Sequence, residues 1–221
     1  MTFAKSLAPV RRAVLLGLLS VLPAIASVGT AQAATPAEAF VSENIDKGFA
    51  ILNNHGLSSS ARASQFQTFL ESLTDIERIG KFTLGAARRA ASPQDVAAFD
   101  TAFRNYAIEV YQSRLSQYSG QTLKVTGSTE RQPGDFVVSA TLVDPASKSG
   151  HQPLKVDFRV LNDKGRMVVV DVAVEGIWIA ITERDQFSAF LGQHNGSIPA
   201  LVAHLEQLTV QLKNGGAAPQ H

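Results

Sequence analysis

The 221-residue chain contains no cysteine, so it can form no disulfide and carry no thiol nucleophile. Its five histidines, His55, His151, His194, His204 and His221, stand apart, and no two have the spacing of metal ligands. There is no glycine-rich phosphate loop, no G-x-S-x-G elbow and no H-E-x-x-H pair. Charge of one sign is also lacking, with 20 Lys+Arg against 19 Asp+Glu. Long apolar runs are missing except for Ala13 to Val28, which Pro23 interrupts. That run is short for a bilayer span, which takes roughly 20 apolar residues. These absences exclude thiol chemistry and leave hydrolytic-metal and nucleotide chemistry without a motif.

Lys5, Arg11 and Arg12 precede the apolar run, and Ala31-Gln32-Ala33 follows it as an A-x-A cleavage site. This is the pattern of an export leader, expected to be cut after Ala33. Arg11-Arg12 permits a twin-arginine route, but no flanking motif accompanies the pair. The expected organisation is therefore a leader over 1–33, one domain over 34–213 and a frayed tail over 214–221. The leader carries three of the Lys+Arg and none of the Asp+Glu, leaving 17 against 19. A nearly neutral domain has no field to hold nucleic acid and no polybasic face for an anionic membrane. At 45% hydrophobic residues overall, there is material for a real core, held by packing alone.

Helices come first. Thr35-Pro36-Ala37-Glu38 reads as a capping box with Pro at N1, followed by Val41, Ile45, Phe49 and Leu52 at helical spacing until Asn53-Asn54-His55-Gly56. After Ser58-Ser59-Ser60 come Phe66, Phe69, Leu70 and Leu73, and Asp75 opens a short third helix through Ile76 and Ile79. Ser92-Pro93-Gln94-Asp95 opens a long fourth, with Val96, Phe99, Phe103, Tyr106, Val110 and Tyr111 on one stripe, ending near Tyr118-Ser119-Gly120. Strands follow. Leu123–Thr126 and Phe136–Val143 are expected to form a hairpin around Gln132-Pro133-Gly134-Asp135, and Pro145–Gly150 a loop. Leu154, Val156, Phe158 and Val160 alternate with Lys155, Asp157 and Arg159, the period of a half-buried strand. Asn162-Asp163-Lys164-Gly165 turns the chain into Met167–Val174, which is apolar on nearly every residue. A short helix over Glu183–Leu191 and a terminal one over Ser197–Leu212 close the domain. Helices followed by strands indicate an α+β fold.

The segment V-x-D-V-x-V-E-G-I, continued by R-x-Q-F, is carried by Val169, Asp171, Val172, Val174, Glu175, Gly176, Ile177, Arg184, Gln186 and Phe187. L-G-x-x-x-R-x-A-S-P is present as Leu84, Gly85, Arg89, Ala91, Ser92 and Pro93. F-x3-F-R-x-Y-x4-Y-x3-L-x2-Y-x-G follows as Phe99, Phe103, Arg104, Tyr106, Tyr111, Leu115, Tyr118 and Gly120. In these residues the chain resembles the MlaC (toluene-tolerance auxiliary) family of periplasmic phospholipid-binding proteins. Ala87 and Arg88 stand where the family pattern has aromatics, and Trp178 where it has a small polar residue. The resemblance implies a curved antiparallel sheet of four or five strands with helices on its concave side, similar to the NTF2-like cone. It also implies a monomeric periplasmic carrier, without cofactor or catalysis. Such a carrier takes a glycerophospholipid by its tails between an outer-membrane lipoprotein complex and an inner-membrane ABC transporter with its substrate-binding ring, a traffic that serves outer-membrane lipid asymmetry.

The apolar stripes admit two readings, a filled core or a cavity for acyl chains. Composition does not separate them, and the resemblance selects the cavity. Its expected walls are Phe66, Phe69, Leu70 and Leu73 from the second helix, and Phe99, Phe103, Tyr106 and Val110 from the fourth. Val138, Val156, Phe158, Val160, Val169, Val170 and Val172 from the sheet complete them, with Ile177 and Ile179. Val160 and Phe158 are expected on the inner face beneath Phe99 and Phe103, and Arg88 and Arg89 near the entrance. Asp157 is expected to face solvent beside Lys155 and Arg159. Asp171 is expected either to pair with Arg184 or Arg104 or to have a perturbed pKa. Asp171 or Glu175 as the base of an NTF2-like enzyme acting on an apolar small molecule is the alternative reading.

Overall fold

The computed structural model describes residues 33–115, 120–144 and 153–216. The leader, the Pro145–Gly150 loop, Tyr118-Ser119 and the end of the tail fall outside the described residues.

Local chemistry sets the helix starts. In α1 (Pro36–Leu52) the Thr35 hydroxyl accepts the Glu38 N–H at 3.2 Å while the Glu38 carboxylate accepts the Thr35 N–H at 3.3 Å, completing the capping box. Ser58 caps α2 (Ser59–Leu73), and Asp75 caps α3 (Ile76–Leu84). Gly85, at φ 58°, ends α3 and leads into a 3-10 turn over Gly85–Arg89. Ser92 then accepts the Asp95 N–H at the start of α4 (Pro93–Leu115).

The strands β1 (Thr122–Gln132), β2 (Asp135–Val143), β3 (Leu154–Asp163), β4 (Arg166–Val174) and β5 (Ile177–Trp178) form one antiparallel sheet in the order β1-β2-β3-β4-β5. Lys164-Gly165 and Glu175-Gly176 link successive strands with positive φ at both residues, 53° and 87°, then 50° and 83°. That conformation matches the twist of the strands it joins. β1 runs six residues beyond the expected Thr126. It is an edge strand with a register shift at Gly127, so the apolar alternation that marks a strand is broken there. Helices α5 (Ile179–Gln193) and α6 (Ile198–Lys213) follow, the latter capped by Ser197.

The register places Phe136 opposite Val160, Val138 opposite Phe158, Val160 opposite Val169 and Phe158 opposite Val172. These side chains share one face, and α1 packs on it. Ala37, Val41, Val138, Val160 and Val169 form a buried cluster there, flanked by Phe40, Ile45, Phe158 and Val172. A second cluster joins Leu84, Phe99, Phe103 and Tyr106 to Phe187, Leu191, Leu201, Leu205 and Leu212, and belongs to the helices. Helices therefore stand on both sides of the sheet. The expected stacking of Phe99 and Phe103 above Val160 and Phe158 is corrected. Both rings point into the helical cluster, stacked at 5.7 Å on each other and edge-on to Phe187 at 6.1 and 6.3 Å. An aromatic stripe read from sequence fixes which face of a helix is buried, but not what covers it.

Candidate functional site

The sheet face turned away from α1 carries charge. Arg159 donates from Nε and Nη2 to both oxygens of the buried Asp135, at 3.1 and 3.0 Å. Asp157 takes the Ser139 hydroxyl at 2.6 Å and pairs with Lys155 at 3.0 Å. It is 6% exposed rather than facing solvent, because the neighbouring strands supply partners that the sequence of β3 does not reveal.

Asp171 lies beside Arg159 on that face, and a bulge at Val170 separates it from Val169. Its Oδ1 accepts the backbone N–H of Val172 at 2.8 Å and of Ala180 at 2.9 Å. Ala180 lies in the first turn of α5, whose N-cap residue, Trp178, makes no side-chain cap. Asp171 is the cap, delivered from a strand. This corrects the expected partners: Arg104 pairs with Glu71 at 2.9 Å, and the Arg184 guanidinium lies over the Phe82 ring at 5.1 Å. It also explains why α5 begins at Ile179 and not at Glu183. Burial pushes the Asp171 carboxyl above its ordinary value, against the lowering effect of the two N–H groups and of Arg159. Burial likewise raises Glu183, which accepts the Tyr106 hydroxyl at 2.9 Å. Glu175 is a turn residue whose carboxylate accepts the Lys155 N–H.

Outside α2, the expected cavity walls divide into three groups. Val138 and Val160 are fully enclosed and Val156 and Val169 are buried, so these sheet positions are core in this structure. Phe99, Phe103 and Tyr106 are buried in the helical cluster, with Val110 against it. Ile177 is 47% exposed on the short edge strand, and Ile179 packs into neither cluster. Arg88 and Arg89 are exposed on the 3-10 turn.

The α2 residues differ from all of these. Phe66, Phe69, Leu70 and Leu73 form its apolar stripe, yet α2 buries no residue and belongs to neither cluster. The helix touches α1, α4 and β4, with the Phe66 and Phe69 rings 5.8 Å apart and close against Gly48. Beneath it Phe66, Leu70, Ile76, Ile108 and Tyr111 enclose an apolar pocket of about 10 Å³, edged by Gln67, Glu71 and Gln112. Burial, and then the fields of Asp171 and Glu183, push the Tyr111 hydroxyl up. Two larger hollows are open grooves. One, of about 650 Å³ between α1 and β1, is walled by Glu38, Ser42, Glu43 and Asp46. The other, of about 430 Å³ beside α5 and α6, has Phe187, Phe190 and Leu208 on its sides but includes the buried carboxylate of Glu183. The carboxylates of the first serve an acyl chain poorly, whereas the second is lined mainly by apolar side chains. Among the described residues no group of His, Asp and Glu could hold a metal ion, and no helix is long and apolar enough to cross a membrane.

Residues 42–207 match the family described as MlaC protein. The chain belongs to the MlaC family. A solved structure with the same fold is a phospholipid-binding protein from Ralstonia solanacearum, determined in complex with a phospholipid. It aligns with a TM-score of 0.69 at 21% identity, over 81% of this chain and 99% of that one. The MlaC motif residues acquire structural duties here: Asp171 caps α5, Glu175-Gly176 makes the β4–β5 turn, and Gly85 ends α3 against the Arg184 side chain. Of the residues around the pocket under α2, only Phe66 and Leu70 were expected walls; Gln67, Glu71, Ile76, Ile108, Tyr111 and Gln112 were not. The i,i+4 pair Gln67 and Glu71, set beside Phe66 and Leu70 on one helix, was the available signal.

Proposed function

We propose that this protein is a periplasmic phospholipid carrier that receives acyl tails in the space beneath α2. The observation that carries the reading is the mismatch between composition and burial. Four large apolar side chains line one face of α2, and none of them is buried, while both clusters close without them. Each buried methylene contributes about 0.8 kcal/mol, so two tails inserted along this stripe supply ample binding energy. Membership of the MlaC family and the phospholipid held by the Ralstonia neighbour support the same ligand. In this reading residues 1–33 are a cleaved export leader. The mature chain shuttles lipid as a monomer between an outer-membrane lipoprotein complex and an inner-membrane ABC transporter with its substrate-binding ring. Binding, not catalysis, is its work. Asp171 serves as a helix cap and Glu175 as a turn residue, and these structural duties favour binding over the proton-transfer alternative.

Extraction of the purified protein with organic solvent, followed by mass spectrometry, tests this. Phospholipid at close to one molecule per chain is the expected result. Protein that carries none, and takes up none from vesicles, refutes it. Amino-terminal sequencing of exported material should begin at Ala34, and recovery of intact precursor in membranes would make the leader an anchor.

A further inference from the structure

The pocket under α2 has a polar border. Gln112 on α4 donates from Nε2 to Gln67 Oε1 on α2 at 3.2 Å. Gln67 Nε2 donates in turn to Glu71 Oε1 at 3.0 Å, one helical turn on. Arg104 Nη2 on α4 reaches the same Glu71 oxygen at 2.9 Å. The two links between helices, Gln67 to Gln112 and Glu71 to Arg104, run antiparallel and bracket Ile108, a wall of the pocket. Four side chains thus form one continuous seam along the edge of the apolar space.

We propose that this seam is a latch on the lipid site, and that Gln67, Glu71, Arg104 and Gln112 hold α2 shut against α4. The inference rests on the carrier reading and deepens it. A pocket of about 10 Å³ has room for no acyl chain, so α2 and α4 part when tails enter. Neither buried cluster resists that movement, since α2 contributes to neither. What opposes it is the half-buried stripe, which the tails replace with equivalent contacts, and the seam, which they do not. The Arg104 side chain is 53% exposed and that of Glu71 27%. A partly exposed pair of this kind is weak and screened by salt, which suits a fastening that must open in each cycle.

The absence of native cysteine permits a clean test. In a Gln67→Cys, Gln112→Cys chain a short bifunctional methanethiosulfonate bridges the seam, and a reductant releases it. Lipid-loaded protein is mixed with vesicles of phosphatidylethanolamine and phosphatidylglycerol, and transfer of labelled phospholipid is followed. The bridged form should transfer at least about tenfold more slowly than the released form, with speed restored by reductant. In parallel, Glu71→Gln and Arg104→Gln should each speed transfer about two- to fivefold and remove its salt dependence, the size expected for an exposed pair. Equal transfer by bridged and released protein overturns the latch while leaving the carrier intact, as does unchanged transfer in both single variants. Protein that never holds phospholipid, bridged or not, removes the carrier reading and the latch with it.

Discussion

The Asp171 carboxylate on β4 accepts the Ala180 N–H in the first turn of α5 at 2.9 Å, so a strand supplies the cap for a helix. The free N–H groups of a first turn need an acceptor, and a carboxylate there also meets the favourable end of the helix dipole. Asp171→Ala should cost about 1–2 kcal/mol, the usual penalty for losing a cap. Asp171→Asn, which keeps an acceptor oxygen, should cost less. Urea denaturation of the two variants distinguishes them, and equal losses would mean that the cap contributes little.

Stability should also depend on pH in a direction opposite to that of a salt-bridged acid. Burial raises Asp171 and Glu183 above their ordinary values. Between the ordinary carboxylate range and these raised values, the folded chain holds protons that the unfolded chain has released. Stability from these groups therefore falls as pH rises through that window and levels off above it. Glu183→Gln should flatten the slope of melting temperature against pH, measured by circular dichroism from mild acid to neutrality. An unchanged slope in Glu183→Gln and Asp171→Asn alike would remove both groups from the explanation.

Gly80 in α3 lies against Phe103, and a Cβ there would approach the ring Cδ1 to 2.9 Å. Alanine favours a helix interior by up to about 1 kcal/mol over glycine. The ring, held between Phe99 and Phe187, has little freedom to withdraw. Gly80→Ala should therefore be destabilising by about 1–2 kcal/mol despite the helix gain. A raised melting temperature would show that the helical cluster yields more easily than its packing indicates.

Val160 and Phe69 should behave as opposites. Val160 is fully enclosed, so Val160→Glu buries an unpaired carboxylate and should unfold or severely destabilise the domain. Phe69 is half-buried on α2, so Phe69→Ala should cost less than the about 3–5 kcal/mol of a fully buried phenylalanine. The same variant should lose much of its co-purifying phospholipid. Melting curves and lipid analysis of the pair would separate core from site, and a lipid-free but stable Val160→Glu protein would reverse the assignment.

What was legible in the sequence was what depends on near neighbours. Thr35 and Glu38, Ser58, Asp75 and Ser197 marked their helices because a cap and the N–H groups it serves lie within four residues. The alternation of β3 identified its buried face for the same reason. The start of α5 was not legible, because its cap is Asp171, nine residues back across a turn. Nor was the burial of Asp157, whose partner Ser139 sits on another strand. Phe66 and Phe103 present the same pattern in sequence, an aromatic among helical apolar positions. Only the packing of α4 against α6, with α2 left aside, shows that one is core and the other half-covered.

The sheet has a consequence for how the chain reaches this structure. Each strand pairs only with its neighbour in sequence, so β1 to β5 can close hairpin by hairpin, with little loop entropy lost at each step. The helical cluster is different, since α4 must wait for α6, which lies beyond the whole sheet. The sheet can form early, and docking of α6 is then the late, long-range event that seals Phe99 and Phe103 away from water.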